Sequence, residues 1–320
     1  MKYLFLDKCH LPSPAGWSEL AIGLGAPSPF LMDLNLSNCN INSESALAIF
    51  RSLANNMTLK KLDMSDLVLI DSSGWVACFE LLMNSRSTLE ELDFRGNSIN
   101  NEGAIALVNL VAGYLTTVES IDVFDNTNIT ADGWRTFAQV IAPSSTSKLK
   151  ILKIGNDWDD EDSDDDDSNR NFDNIMNDDT VLDFIHALAS NKYLLRLMFR
   201  AVDDKRHSLE GIFSVLCDAT SISSIYGSNH TLIDLQFDCP DWEADSNLDS
   251  LLDLNKDDDK NEVIRKKLLV RFFSDVDNIG RTFGPMVTAI IPNAIEWIGR
   301  DALGYSAMFD ICRGMPELFK

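Results

Sequence analysis

One stretch decides the fold: Leu89-Glu90-Glu91-Leu92-Asp93-Phe94-Arg95-Gly96-Asn97-Ser98-Ile99. Its apolar side chains occupy the first, fourth, sixth and eleventh places, and an asparagine occupies the ninth. The pattern, whole or in its first part, begins again at Met1, Leu31, Leu59, Val118, Leu149, Leu194 and Leu232. The first six copies start about 28 to 31 residues apart. Self-similarity at such a period is the sequence signature of a stacked-repeat protein.

A second apolar pattern follows each copy and predicts a helix with one buried face. Apolar residues recur there at i, i+3, i+4 and i+7, the spacing of one side of an α-helix. The stripes are Trp17/Leu20/Ala21/Leu24, Ala46/Ile49/Phe50/Leu53, Trp75/Cys78/Phe79/Leu82, Ala104/Leu107/Val108/Val111, Trp134/Phe137/Ala138/Ile141, Val181/Phe184/Ile185/Leu188 and Leu209/Ile212/Phe213/Leu216. Each repeat is therefore predicted to be one short strand followed by one helix, with the recurring tryptophans in the core.

These strands and their period resemble the leucine-rich repeat family, and in particular its ribonuclease-inhibitor-like subclass. The resemblance implies an α/β fold, a right-handed solenoid with a parallel sheet on its concave face and helices on its convex face. It also implies that the residue at the ninth place hydrogen-bonds the turn backbone of neighbouring repeats. That place holds Cys9, Cys39, Asn97 and Asn126.

The chain is predicted to divide into a solenoid of about eight repeats, residues 1–276, and a helical C-terminal cap, residues 277–320. Residues 157–179 carry twelve acidic residues against Arg170 alone, a composition that predicts a disordered insertion. Ser163 lies within this acidic run and is a candidate phosphorylation site. Met1 already occupies the first place of a strand, which leaves two explanations open: a shortened chain, or an uncapped end that serves for self-association.

Composition narrows the classes of partner and the compartment. The net charge of −23 argues against direct nucleic-acid binding and favours a protein partner. A basic protein is one possible partner. The six cysteines form no CxxC pair, no signal peptide is apparent, and no uncharged stretch is long enough for a membrane span. We therefore expect no membrane association and a location in the cytoplasm of a eukaryotic cell, with the nucleus as the alternative.

Side chains between the buried leucines should point out of the concave sheet face, because strand residues alternate. They make that face acidic over repeats two to five and basic beyond, where Lys150, Lys153, Arg196 and Arg200 follow. The candidate partner-binding residues are Asp33, Asp63, Glu91, Asp93, Arg95, Asp122, Phe124, Lys153, Arg196 and Arg200.

Three functions are compatible with the sequence, and none of them is catalysis on a substrate. The chain carries no P-loop, GxSxG, HExxH or dinucleotide motif, so we expect no enzyme activity, cofactor or metal. The first function is a protein-interaction scaffold. The second rests on a resemblance to leucine-rich repeat activators of small GTPases, although their acidic run follows the repeats, and Arg95 is the only arginine near a strand-to-helix loop in repeats one to five. The third, an acidic chaperone for a basic protein such as a histone, resembles acidic nuclear leucine-rich repeat proteins. Arg265-Lys266-Lys267 is a short candidate localisation signal for it.

Overall fold

The computed structural model describes residues 2–25, 30–54, 56–83, 88–142, 145–156, 176–200, 206–238 and 246–272. The predictions for most of the acidic insertion, for Ser163 and for the cap at residues 277–320 lie outside the described residues. The division of the chain at residue 277 therefore stays a prediction.

The described strands form one parallel sheet in which the order of strands is the order of the chain. They are β1 (Tyr3–Phe5), β2 (Asp33–Asn35), β3 (Lys61–Asp63), β4 (Glu91–Asp93), β5 (Ser120–Asp122), β6 (Ile151–Ile154), β7 (Arg196–Arg200) and β8 (Asp234–Asp238). Every predicted strand is present at its predicted place. Parallel neighbours require a crossover connection, and each repeat provides a helical one, so the fold is the predicted α/β solenoid.

The helices lie between the strands, and α1 to α5 each pack against the next helix. They are α1 (Pro14–Gly25), α2 (Ser43–Leu53), α3 (Ser72–Leu82), α4 (Asn101–Gly113), α5 (Ala131–Thr136), α6 (Ala138–Ile141), α7 (Asp178–Ser190), α8 (Arg206–Leu216), α9 (Ile222–Gly227), α10 (Ser246–Asn255) and α11 (Lys260–Phe272). The single helix predicted after β5 is two helices, since Phe137 and Val140 donate to the carbonyls three residues earlier. Within the described ranges, no helix is both long and apolar enough to cross a membrane.

The predicted helical stripes form the core. Trp17, Trp75 and Trp134 are at most 1% exposed, so these three rings pack in the interior and do not form a recognition stripe. Trp75 of α3 contacts Phe79 in a stacked arrangement and Phe94, which directly follows β4, edge-on, at centroid distances of 5.7 and 5.5 Å. The helix of one repeat and the strand region of the next therefore meet in one apolar layer.

The turn after each of the strands β1 to β5 contains one residue in the left-handed backbone region. These residues, all at the eighth place of the repeat, are Lys8, Asn38, Asp66, Gly96 and Asp125, with φ between 53° and 67°. The backbone N–H of each donates to a carbonyl of the following repeat, as Asp66 does to Arg95 at 2.8 Å. Glycine, asparagine and aspartate tolerate this conformation best, so four of the five positions carry a suitable residue.

The ninth place joins consecutive repeats at three of the four expected residues, Cys39, Asn97 and Asn126. The side chain of Asn97 donates to the carbonyls of Met64 (2.9 Å) and Phe94 (2.8 Å) and accepts from the N–H of Leu67 (2.8 Å). Asn126 makes the equivalent three bonds one repeat further on. The Cys39 thiol donates to the Leu6 carbonyl, so a cysteine keeps one bond of this set.

The chain separates into two compact units. The first comprises residues 1–187, 193–204 and 236–242, and it holds the strands β1 to β7. The second comprises residues 188–192, 205–235 and 243–320, and in it α11 packs against α9 and α10.

A buried lysine links three segments of the second unit by hydrogen bonds. Lys267 on α11 is 1% exposed, and its Nζ donates to the carbonyls of Leu216 (2.6 Å) and Asn229 (3.1 Å) and lies 3.2 Å from Nδ1 of His230. Burial lowers the pKa of Lys267 to about 7, and burial together with the charge of Lys267 lowers the pKa of His230 to about 3. This cluster joins the end of α8 to the segment that precedes β8.

Candidate functional site

The candidate site is the set of strand side chains that alternate with the buried leucines, here called the open face. The strand register aligns them in two columns. The first column is Tyr3, Asp33, Lys61, Glu91, Ser120, Ile151 and Arg196, and the second is Phe5, Asn35, Asp63, Asp93, Asp122, Lys153 and Met198. All are exposed or half-buried except Asp122, which is 8% exposed. The alignment is the one expected from the repeat pattern.

Carboxylates and amides of the second column also shape the turns that follow the strands. Oδ1 of Asp93 accepts a hydrogen bond from the backbone N–H of Arg95 at 3.0 Å, and Asn35, Asp63 and Asp122 do the same two residues ahead at 2.9 to 3.1 Å. This is the Asx-turn geometry. The sequence analysis missed this role, although an aspartate or asparagine two places before a turn residue in four consecutive repeats is a signal for it.

Cross-strand ion pairs use several charges of the face. Lys61 binds Glu91 at 2.6 Å and Lys153 binds Asp122 at 2.9 Å. In the flanking column Lys60 binds Glu90, and Lys150 binds Glu119 at 2.8 Å. Such half-exposed pairs contribute little stability, but they cancel charge locally. The predicted change from an acidic to a basic surface is therefore weaker than the sequence suggests, because Lys150 and Lys153 are both paired with acids.

Three carboxylates on neighbouring strands, Asp63, Asp93 and Asp122, form what we call the acidic row. Their register places them side by side on β3, β4 and β5. Asn35 donates to Oδ2 of Asp63 and Lys153 to Oδ2 of Asp122, so both ends of the row are partly compensated. Asp93 lies between them, and burial, with the charges of Asp122 and Asp63, raises its pKa to about 6. The middle of the row therefore carries a poorly compensated negative charge.

The remaining predicted residues lie at the margins of this row. Asp33 adjoins Lys61 in the first column, and burial raises its pKa. Arg95 and Phe124 occupy the turns after β4 and β5, where Arg95 is exposed and Phe124 is half-buried. Two further predicted residues, Arg196 and Arg200, begin and end β7; Arg196 is exposed, and the side chain of Arg200 lies outside the described part.

An aromatic pair at β1 was absent from the predicted site. Tyr3 and Phe5 are 58% and 57% exposed, and their rings stack with centroids 6.3 Å apart and planes 20° apart. Their places in the two columns were evident from the sequence, but the exposure of both rings on one face was not. They adjoin Asp33 and Asn35 in the register.

No metal centre is apparent on this face. In the parts of the chain that the structure describes, no group of three His, Cys, Asp or Glu residues is arranged to hold a metal ion.

Comparison with known proteins identifies the repeats. A family model described as Leucine Rich repeat matches residues 28–50 and 86–108, which include β2 with most of α2 and β4 with part of α4. No curated protein matches the chain. One similar solved structure is the tropomodulin C-terminal domain of Caenorhabditis elegans, at 14% identity and a TM-score of 0.36, covering 61% of this chain and 88% of that one. Another is the complex of Rad7 and Elc1 in yeast, at 17% identity and a TM-score of 0.37, covering 70% of this chain and 42% of that one.

Proposed function

We propose that this leucine-rich repeat protein is a non-enzymatic scaffold that binds a basic protein partner through its open face. Stacked repeats bury their helical stripes against one another and leave the sheet face as an extended binding surface. The repeat period of about 28 to 31 residues also favours the ribonuclease-inhibitor-like subclass.

The observation that carries the proposal is the acidic row itself, in which the strand register places Asp93 between the carboxylates of Asp63 and Asp122; burial and these neighbours raise the pKa of Asp93. Ionised Asp93 is disfavoured by burial and by its like-charged neighbours, and an added cation would compensate that repulsion and favour the ionised form. A lysine or arginine of a partner placed against the acidic row would supply that cation. The partner would then lower the pKa of Asp93, and binding near pH 6 would release a proton.

A matched pair of variants tests the proposal. Asp93→Asn keeps the acceptor that the Arg95 N–H needs, as Asn35 shows in β2, and removes one charge from the acidic row. Asp258→Asn removes one charge from an exposed residue after α10 and serves as the control. We expect a lysine-rich peptide, titrated at low salt, to bind Asp93→Asn several-fold more weakly than the wild type and Asp258→Asn almost as well. Equal binding by the two variants would contradict the proposed site.

The acidic row also supports a more specific version of this function, in which the protein acts as a chaperone for a basic protein such as a histone. Salt should weaken that interaction strongly, because its attraction acts between exposed charges. The alternative of a GTPase activator acting through Arg95 stays a prediction, which a nucleotide-hydrolysis assay with Arg95→Ala tests. Self-association through β1 and a cytoplasmic or nuclear location also stay predictions.

A further inference from the structure

The exposed aromatic pair is unlike the rest of the open face. Tyr3 and Phe5 present two stacked rings, each more than half exposed, whereas the other described members of the columns are polar, charged or half-buried. Exposed tyrosine and phenylalanine rings are enriched where proteins bind partners. The pair therefore offers apolar contact at one end of a charged surface.

The surroundings of the pair specify the charge of an occupant. Asp33 is the register neighbour of Tyr3, and neighbouring strands lie about 4.8 Å apart. Asn35, the register neighbour of Phe5, donates to Asp63, the first member of the acidic row. Lys2 and Asp7, both exposed, flank β1 with opposite charges. Lys61, the next residue of the first column after Asp33, is paired with Glu91 at 2.6 Å. The net attraction toward a cation thus comes from Asp33 and from the acidic row beyond it.

Among cations, arginine matches this combination best. Its planar guanidinium stacks on an aromatic face while its N–H groups donate to a carboxylate, whereas the lysine ammonium is compact and strongly hydrated. A ring with a carboxylate one strand away permits both contacts at once. The chemistry therefore distinguishes arginine from lysine at the pair but not at the acidic row.

We propose that Tyr3 and Phe5 form a seat for an arginine of the basic partner, with Asp33 accepting from its guanidinium and the acidic row binding a second cation. The inference rests on the proposed function, which it makes specific. Asp93 lies three strands from the pair, roughly 14 Å away at the usual strand spacing. An extended segment that crosses the strands spans that distance in about four residues. The partner motif is an arginine followed or preceded, about four residues away, by another basic residue.

The test uses the full chain and two peptides that differ at one residue. The tested residue is arginine in one peptide and lysine in the other. Both peptides carry a further lysine four residues away from it. Fluorescence anisotropy should show the arginine peptide binding about five-fold more tightly, the ratio that a cation–π contact of about 1 kcal/mol gives. Phe5→Ala and Tyr3→Leu should each bind the two peptides with equal affinity. Tyr3→Leu keeps apolar bulk, so its effect isolates the ring face.

The control is Tyr114→Ala, which removes an equally exposed ring (57%) at the end of α4 and should keep the ratio. Equal affinity of the wild type for both peptides would overturn the arginine seat, as would a ratio that survives Tyr3→Leu and Phe5→Ala. If both peptides bind equally and Asp93→Asn weakens both, the acidic row remains a binding site without the seat. If neither peptide binds, the proposed function fails along with the seat.

Discussion

Replacing Asp93 by asparagine should stabilise the fold at neutral pH and leave it almost unchanged in acid. The folded protein raises the pKa of Asp93 from 3.8 to about 6. Between these two values the folded state binds a proton that the unfolded chain has released. The wild type therefore loses stability from this residue as the pH rises from about 4 to about 6, and the loss is complete above pH 6.

The size of the effect follows from the shift. At 1.36 kcal/mol for each pKa unit, a change of about two units corresponds to about 3 kcal/mol. Asp93 is half-buried, and solvent screening reduces this to about 1–2 kcal/mol. The asparagine is expected to keep the Asx turn, since Asn35 accepts from the N–H of Ser37 at the same place in β2.

Urea denaturation followed by circular dichroism at pH 7.5 and near pH 4 measures the difference. We expect the free energy of unfolding of Asp93→Asn to exceed that of the wild type by about 1–2 kcal/mol at the higher pH and to equal it at the lower one. The same difference at both pH values would refute the reasoning, because an effect of packing or of the turn has no reason to follow the ionisation of Asp93. Asp258→Asn, on the exposed surface, should show no comparable difference.

Substitutions at three further positions test other parts of the fold by the same unfolding measurement. Asn97→Ala should lower the free energy of unfolding by about 3 kcal/mol, because it leaves a buried N–H and buried carbonyls without partners. Asn97→Cys should cost less, since the Cys39 thiol already fills that place in repeat two, and equal losses would argue against the hydrogen bonds as the cause. Lys8→Gly should raise the free energy of unfolding by about 0.5–1 kcal/mol, because Lys8 has a φ of 58° and glycine adopts that backbone without strain. A less stable Lys8→Gly variant would show that the backbone of Lys8 is not strained. For Lys267, whose pKa burial lowers from 10.5 to about 7, the unfolded chain holds the proton between these values, so wild-type stability should rise from pH 7 toward pH 10.5. Lys267→Met should abolish that rise, and a rise that persists in the variant would assign it to another group.

The repeat architecture was predictable because two independent periodicities share one repeat length. The leucine places fixed which strand residues are buried, and the observed register places Asp63, Asp93 and Asp122 side by side as the pattern requires. The positions of β7 and β8 followed from the same pattern, even though the acidic insertion interrupts the repeats before β7.

The chemistry of individual side chains was less predictable, because it depends on contacts between repeats. The pairing of Lys150 with Glu119 involves residues 31 positions apart in sequence, and neither pattern encodes it. Lys267 is the clearest case. In the sequence it belongs to a basic cluster, Arg265-Lys266-Lys267, that resembles a surface signal, but Arg265 and Lys267 are 6% and 1% exposed. Only contacts of α11 with the end of α8 could reveal that burial.

The bonds at the ninth place run in one direction along the chain, and this sets an order for folding during synthesis. Asn97 closes the turn formed by Met64 and Leu67, and Asn126 supplies the partner for the N–H of Ile99. These turns are thus completed by side chains that leave the ribosome about 30 residues later. A repeat that has just emerged still has open backbone groups, and each new repeat secures the one made before it.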